Sequence, residues 1–155
     1  MVFLVIYKWI QRNINLSEKK VLDIGCGSGK FVRYLQNKNI NASGVEPSKP
    51  LYDRYLKGQS NFYNSSLPEF VEKNNVMFDV VFALDVLEHI DNPRDFIQQI
   101  SKLQTKGGFV LLEIPLFKSF ASMLIGKKWH FYNKYHLSYF SKTTLENLLK
   151  DFGYK

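Results

Sequence analysis

One aspartate, three glycines and one glutamate carry the first chemical signal in this chain. Residues 21–31 read Val-Leu-Asp-Ile-Gly-Cys-Gly-Ser-Gly-Lys-Phe. Asp23 lies near the end of a short apolar run, and Gly25, Gly27 and Gly29 follow at alternate positions. Glycines at such a turn tolerate positive φ and let a ligand lie against bare backbone. The residues beyond read as a helix, whose first N–H groups lack intrahelical partners. This is the layout of a nucleotide-type cofactor site at the first βα turn of a doubly wound sheet. Asn41-Ala-Ser-Gly-Val-Glu46 reads as a second strand ending in a carboxylate. Glu46 falls about 20 residues past the turn, where an acid holds ribose hydroxyls.

The residue types discriminate between cofactors. A dinucleotide fingerprint requires G-x-G-x-x-G, and the last position here is Lys30. A carboxylate at Asp23 would repel a pyrophosphate, whereas S-adenosyl-L-methionine presents an ammonium and a sulfonium. The expected donor is therefore S-adenosyl-L-methionine, leaving as S-adenosyl-L-homocysteine, with its own carboxylate on the turn N–H groups and the helix N-terminus. Cys26 reads as a small residue that fits the turn rather than as a nucleophile.

Methyl transfer from a sulfonium demands alignment and, for an OH or NH acceptor, removal of a proton. Candidates for that work follow the fourth and fifth apolar runs. Asp85 stands at the tip of the fourth, and His89 supplies an imidazole, the side-chain type suited to proton transfer near neutral pH. His136, with His130 as the weaker candidate, lies in an aromatic segment from Trp129 to Ser141. Leu137, Tyr139 and Phe140 of that segment read as core. Residues Leu116–Ile125, followed by Gly126-Lys-Lys-Trp129, read as a lid helix over the site, with a membrane-interface helix as the alternative.

The elements that must position these residues alternate between helix and strand, which implies an α/β fold. An apolar helix is expected over Phe3–Asn13. Strands are expected over Lys20–Ile24, Ala42–Glu46, Asn61–Tyr63, Phe78–Leu84 and Phe109–Ile114. Helices are expected from Ser28 to Asn37 and from a Ser48 cap to Gly58. Two more open at Asn92-Pro93 and after Ser141. Pro68 is placed in a loop, and Gly107-Gly108 are read as a stop between helix and strand.

The chain has 155 residues, with 45% hydrophobic and 23% charged side chains, ordinary for a single globular domain over residues 1–155. A single cysteine excludes an internal disulfide and fits a reducing cytoplasmic setting. Net charge is +7, mostly from scattered lysines, which read as a solvated surface before they read as a nucleic-acid patch. The apolar run at residues 1–10 is too short to span a bilayer, so no transmembrane segment is expected, and peripheral membrane contact is the lesser reading. Oligomeric state is left open.

Four motifs in order resemble the class I S-adenosylmethionine-dependent methyltransferases. They are the glycine turn with its strand, Gly44-Val-Glu46-Pro-Ser, Phe78 to Ile90, and Lys106-Gly-Gly-Phe-Val-Leu-Leu-Glu113. The nearest likeness is to the type 11/12/23 methyltransferase domains, including ubiquinone-pathway O-methyltransferases. The resemblance implies a Rossmann-like doubly wound, mostly parallel sheet with helices on both faces. It implies cofactor contacts from Asp23, Gly25, Cys26, Gly27, Gly29, Glu46, Pro47, Leu84 and Asp85. Where the family often places an acid for the adenine amine, this chain has Asn64, Ser65 and Ser66. Asp85, Glu88, His89 and His136 resemble a metal cluster of small-RNA 2′-O-methyltransferases, so a divalent metal is the alternative to a metal-free site. The family continues past a Gly-aromatic such as Gly153-Tyr154 into two more strands, so the last two of the usual seven are expected to be missing. The expected activity is methyl transfer to a small-molecule acceptor, lipophilic in one version, with O-methylation first. RNA or protein methylation, and a non-catalytic binding domain, are the alternatives.

Overall fold

The computed structural model describes residues 2–115 and 136–155. Among them five strands form one sheet: β1 (Lys20–Ile24), β2 (Asn41–Val45), β3 (Phe62–Tyr63), β4 (Phe78–Leu84) and β5 (Gln104–Glu113). Their order is β3-β2-β1-β4-β5, and every pair is parallel. The helices are α1 (Val2–Asn13), α2 (Lys30–Gln36), α3 (Lys49–Tyr55), α4 (Leu67–Lys73), α5 (Pro93–Leu103) and α6 (Lys142–Lys150), with a 3-10 turn at Leu87–His89.

Strand β4 shows why the sheet is covered on both faces. Val80 and Phe82 belong to the core shared with α1 and α2, while Phe78, Val81 and Ala83 belong to the core shared with α4, α5 and α6. Successive side chains point to opposite faces, so a continuous apolar run needs two layers of helices. Phe31, Val32 and Leu35 of α2 close one side, and Phe96, Ile97, Ile100 and Leu103 of α5 close the other. Asp79, the polar exception in β4, accepts the Lys20 N–H at 2.8 Å and the Thr105 hydroxyl at 3.1 Å, pinning the entry ends of β1 and β5. The backbone N–H of Lys20 is the main reason its carboxyl lies below the usual range.

Two local expectations are corrected. Pro68 sits inside α4, not in a loop. Ser66 precedes that helix, its N–H donates to the Glu69 carboxylate at 3.2 Å, and a proline is tolerated in the first turn. Gly107-Gly108 do not separate α5 from β5, because the strand begins directly after Leu103. The extra residues are absorbed by a register shift between Phe78 and Val80, with Gly107 at φ 79°. The proposed core residues of the last segment divide as well. Phe140 is buried, but Leu137 and Tyr139 are exposed. The expected lid helix, the segment from Trp129 to Tyr135 and His130 lie outside the described residues.

Candidate functional site

The strand order reverses direction between β1 and β4, and the glycine turn leaves β1 at that point. Ligands of open α/β sheets bind in the crevice at the carboxyl ends of such strands. Gly29 has φ 72°, and a Cβ there would stand 2.6 Å from Leu56 Cδ2 and 2.7 Å from the Phe62 ring. It lets α2 pack closely on β3 and on the end of α3. Gly27, at φ 56°, has nothing within 4 Å of its Cβ direction and opens to the crevice.

Four of the five N–H groups of the turn donate within the protein. Gly25 and Cys26 donate to the Val45 carbonyl, and Gly29 donates to the Cys26 carbonyl. Gly27 donates to Glu46 Oε2 at 2.8 Å. A one-proton donor already paired has nothing left to give, so a donor carboxylate on the turn would rely on the N–H of Ser28 rather than on those of the glycines. Glu46 also accepts the Ser48 N–H through Oε1 at 2.8 Å, so it braces the turn and the start of α3. Each of its oxygens keeps a second lone pair. Cys26 packs against Gly44, where a Cβ would stand 2.7 Å from its sulfur. Burial, and then the charges of Asp23 and Glu46, push its thiol up to about 12, so it is inert and a spacer in the turn.

Two cavities share Gly25 as a wall. One, of about 400 Å³, is lined by Ile24, Val45, Pro47, Ser65, Ser66, Val86, Ile90 and Phe96, with Asp91, Asn92 and Asp95 at its polar side. This is the apolar slot suited to a nucleobase. Ser65 and Ser66 line it. Asn64 does not line it, because its amide donates to the Glu46 carbonyl at 2.8 Å and ties β3 to the end of β2. Asp91 and Asp95 escaped sequence reading, since only packing brings the loop before α5 against the tip of β2.

The second cavity, of about 370 Å³, is lined by Asp23, Gly25, Cys26, Gly27, Ser28, Lys30, Phe31, Leu84, Asp85 and Glu113. Asp23 is 4% exposed, and no hydrogen bond to its carboxylate is found among the described residues. Burial, then the charge of Glu46, push its pKa up to about 8. Asp85 is exposed at φ 54°, a left-handed conformation that Asp tolerates better than most residues. Its N–H is held by the Glu113 carbonyl at 3.0 Å, which fixes the tip of β4 against the tip of β5. Glu113 was not singled out in sequence, yet burial and then the charges of Asp85 and Glu88 raise its pKa, and it faces the same cavity as Asp23.

The acceptor-side histidines gather elsewhere. One ligand atom each from Glu88, His89 and His136 lies within 4.8 Å of the others. The two imidazole rings stand edge to face, with centroids 5.0 Å apart. Leu137 and Ser138 donate their N–H groups to the Glu88 carbonyl, which brings the distant His136 to the 3-10 turn. Glu88 is 2% exposed, and its Oε2 has no hydrogen-bond partner among the described residues. Burial is the main cause of its raised pKa. Asp85, expected in this cluster, is not part of it and lines the second cavity instead. His89 lines the first cavity.

A parallel sheet with this order, a glycine turn at its reversal point and acids at the tips of β1 and β2 define a Rossmann-like domain for a nucleoside cofactor. Residues 2–155 match the family model described as a methyltransferase domain. The chain belongs to that family, within the class I S-adenosylmethionine-dependent methyltransferases. It is similar to a ubiquinone biosynthesis O-methyltransferase of Dechloromonas aromatica (strain RCB), 36% identical over 110 residues, covering 67% of this chain and 47% of that protein. The protein of that name from Coxiella burnetii is 28% identical over 131 residues, covering 80% of this chain and 56% of that one. The chain thus spans about half the length of the curated relatives it matches. Two solved structures share the fold. A SAM-dependent methyltransferase from Archaeoglobus fulgidus has TM-score 0.75 at 21% identity, over 99% of this chain and 69% of that one. The magnesium protoporphyrin IX methyltransferase of Synechocystis PCC 6803, solved with bound S-adenosylhomocysteine, has TM-score 0.74 at 18% identity, over 98% and 71%.

Proposed function

We propose that this chain binds S-adenosylmethionine and transfers its methyl group to a small-molecule acceptor, with an oxygen as the favoured nucleophile. The observation that carries the donor is Asp23, a buried carboxylate without a hydrogen bond, facing a cavity beside the glycine turn. A desolvated carboxylate calls for a cation, and this donor brings an ammonium and a sulfonium. The oxygen acceptor is supported by likeness to proteins named ubiquinone biosynthesis O-methyltransferase.

The donor supplies a methyl already activated by positive sulfur. The residues of this chain bind and orient. Asp23 holds the ammonium, the Pro47, Ser65 and Ser66 wall holds the base, and the free lone pairs of Glu46 accept the ribose hydroxyls. Asp85 and Glu113 stand at the mouth of the same cavity, next to Leu84. They favour neutral or cationic acceptors over anionic ones and give an acceptor O–H carboxylates that can take its proton. His89 and His136, gathered at the Leu87–His89 turn, are the imidazoles available to hold a proton.

Thermal melts with S-adenosylmethionine, S-adenosylhomocysteine and NADH test the donor. Stabilisation by the first two is expected, and Glu46→Ala should weaken their binding about ten- to a hundredfold. Stabilisation by NADH alone would end this reading.

A second reading adds a divalent metal at Glu88, His89 and His136. The observation favouring it is the unpartnered buried Oε2 of Glu88 within a ligand-sized cluster. A mixed carboxylate and imidazole set suits Mg²⁺, Mn²⁺ or Zn²⁺. EDTA should then abolish turnover and Mn²⁺ restore it; turnover that persists in EDTA removes the metal.

A further inference from the structure

The donor's amino-acid end carries two opposite charges, and Asp23 answers one of them. Among the described residues, the wall of the second cavity contains three carboxylates, Asp23, Asp85 and Glu113, and one cation, Lys30. Lys30 is the first residue of α2, and no ion pair to it is found among the described residues. A cation at the start of a helix opposes the peptide dipoles, so its placement does nothing for the helix itself. Four of the turn's backbone groups, those of Gly25, Cys26, Gly27 and Gly29, already donate within the protein, so the turn offers a carboxylate few partners. An α-carboxylate placed between Asp23, Asp85 and Glu113 without a cation would meet only like charge.

We propose that Lys30 is the carboxylate anchor of the donor. Its ε-ammonium pairs with the α-carboxylate while Asp23 pairs with the α-ammonium, so the cavity reads a zwitterionic amino acid. This rests on the donor assignment above and extends it to a residue whose type, in sequence, served only to break a dinucleotide fingerprint. A lysine suits the position because its long stem reaches from the helix start over the turn while its charge remains a point donor. The consequence is selectivity. Adenosyl thioethers that lack the amino acid forgo both ion pairs, and a decarboxylated donor forgoes only the one with Lys30.

Titration calorimetry with three ligands separates the parts. S-adenosylhomocysteine carries both charges, decarboxylated S-adenosylmethionine only the ammonium, and 5′-methylthioadenosine neither. Lys30→Met should weaken S-adenosylhomocysteine about ten- to a hundredfold, the range of a hydrogen bond between charged groups, and leave the other two unchanged. Lys30→Arg should recover most of the loss. Asp23→Asn should weaken the first two ligands and spare the third. Lys30 is exposed, so melts of its variants without ligand should match the parent. Unchanged S-adenosylhomocysteine affinity in Lys30→Met, or an equal loss for all three ligands, overturns the anchor. Failure of the parent protein to bind any of the three overturns the donor assignment and the anchor with it, a result distinct from either.

Discussion

Asp23 is a carboxylate set where water cannot hydrate it, with Glu46 as its nearest source of negative charge. Its pKa in the folded chain is about 8, against 3.8 for an ordinary aspartate. Below pH 4 it is protonated in both the folded and unfolded states. Between about pH 4 and pH 8 the unfolded chain gives up that proton while the folded chain keeps it, so stability falls as pH rises through this window. Melting curves of the ligand-free protein from pH 4 to pH 8 should show the decline, and Asp23→Asn should flatten it. An unaltered slope in that variant would assign the decline to other groups. A bound ammonium favours the ionised carboxylate, so S-adenosylhomocysteine binding at pH 7 should release about one proton. Calorimetry in buffers of different ionisation enthalpy reads that number directly.

Helix α2 is held close to the sheet by the absence of a side chain at Gly29. A methyl group there would press on Leu56 and Phe62 while the backbone stays at φ 72°. Gly29→Ala should cost about 2–5 kcal/mol, from left-handed strain together with overpacking. Gly27→Ala meets no neighbour within 4 Å and should cost about 1–2 kcal/mol from strain alone. Its methyl group points into the crevice, so its main effect should be on ligand affinity. Denaturation and binding measured on both variants should therefore rank them in opposite orders, and equal ranking would dissociate Gly27 from the ligand. Among the connecting elements, the reciprocal bonds of Ser141 and Thr144 open α6 as their spacing suggests. The box at Ser66 and Glu69 opens α4 in the same way, although Pro68 beside it reads as a loop signal in isolation.

Across the whole molecule, charge and site chemistry point in different directions. The net charge of +7 is spread over the surface, while the wall of the second cavity is acidic. A phosphate backbone would meet Asp23, Asp85 and Glu113 at the point of reaction. The small-molecule reading predicts turnover that changes little between roughly 50 and 200 mM salt, whereas an RNA acceptor would lose orders of magnitude in affinity over that range. Among the described residues no helix is long and apolar enough to cross a membrane. Strand β5 borders the sheet with Phe109 exposed, and the hydroxyl of Tyr154 ties the chain's last residues back to Gln104 at the start of that strand.

The alternation of strand and helix, the parallel sheet and the glycine turn were legible in sequence because each rests on local chemistry: φ freedom, caps and periodic burial. The positions of Asp23 near the end of β1 and of Glu46 just past β2 were legible because each lies at the end of a run of strand length. What the tertiary structure alone decided are relations between residues far apart in the chain. Glu46 braces Gly27 across 19 positions, and Asn64 serves the backbone of Glu46 across 18 rather than the cavity. Glu113 reaches the donor cavity because β5 pairs with β4 in a register that sets it opposite Leu84. Asp85 parts from Glu88 and His89, its near neighbours in sequence, while His136 joins them from 47 residues beyond His89. Spacing reports which side chains share one element. Which of them share a wall of space depends on strand order and packing, as Asp23, Lys30, Asp85 and Glu113 do in the second cavity.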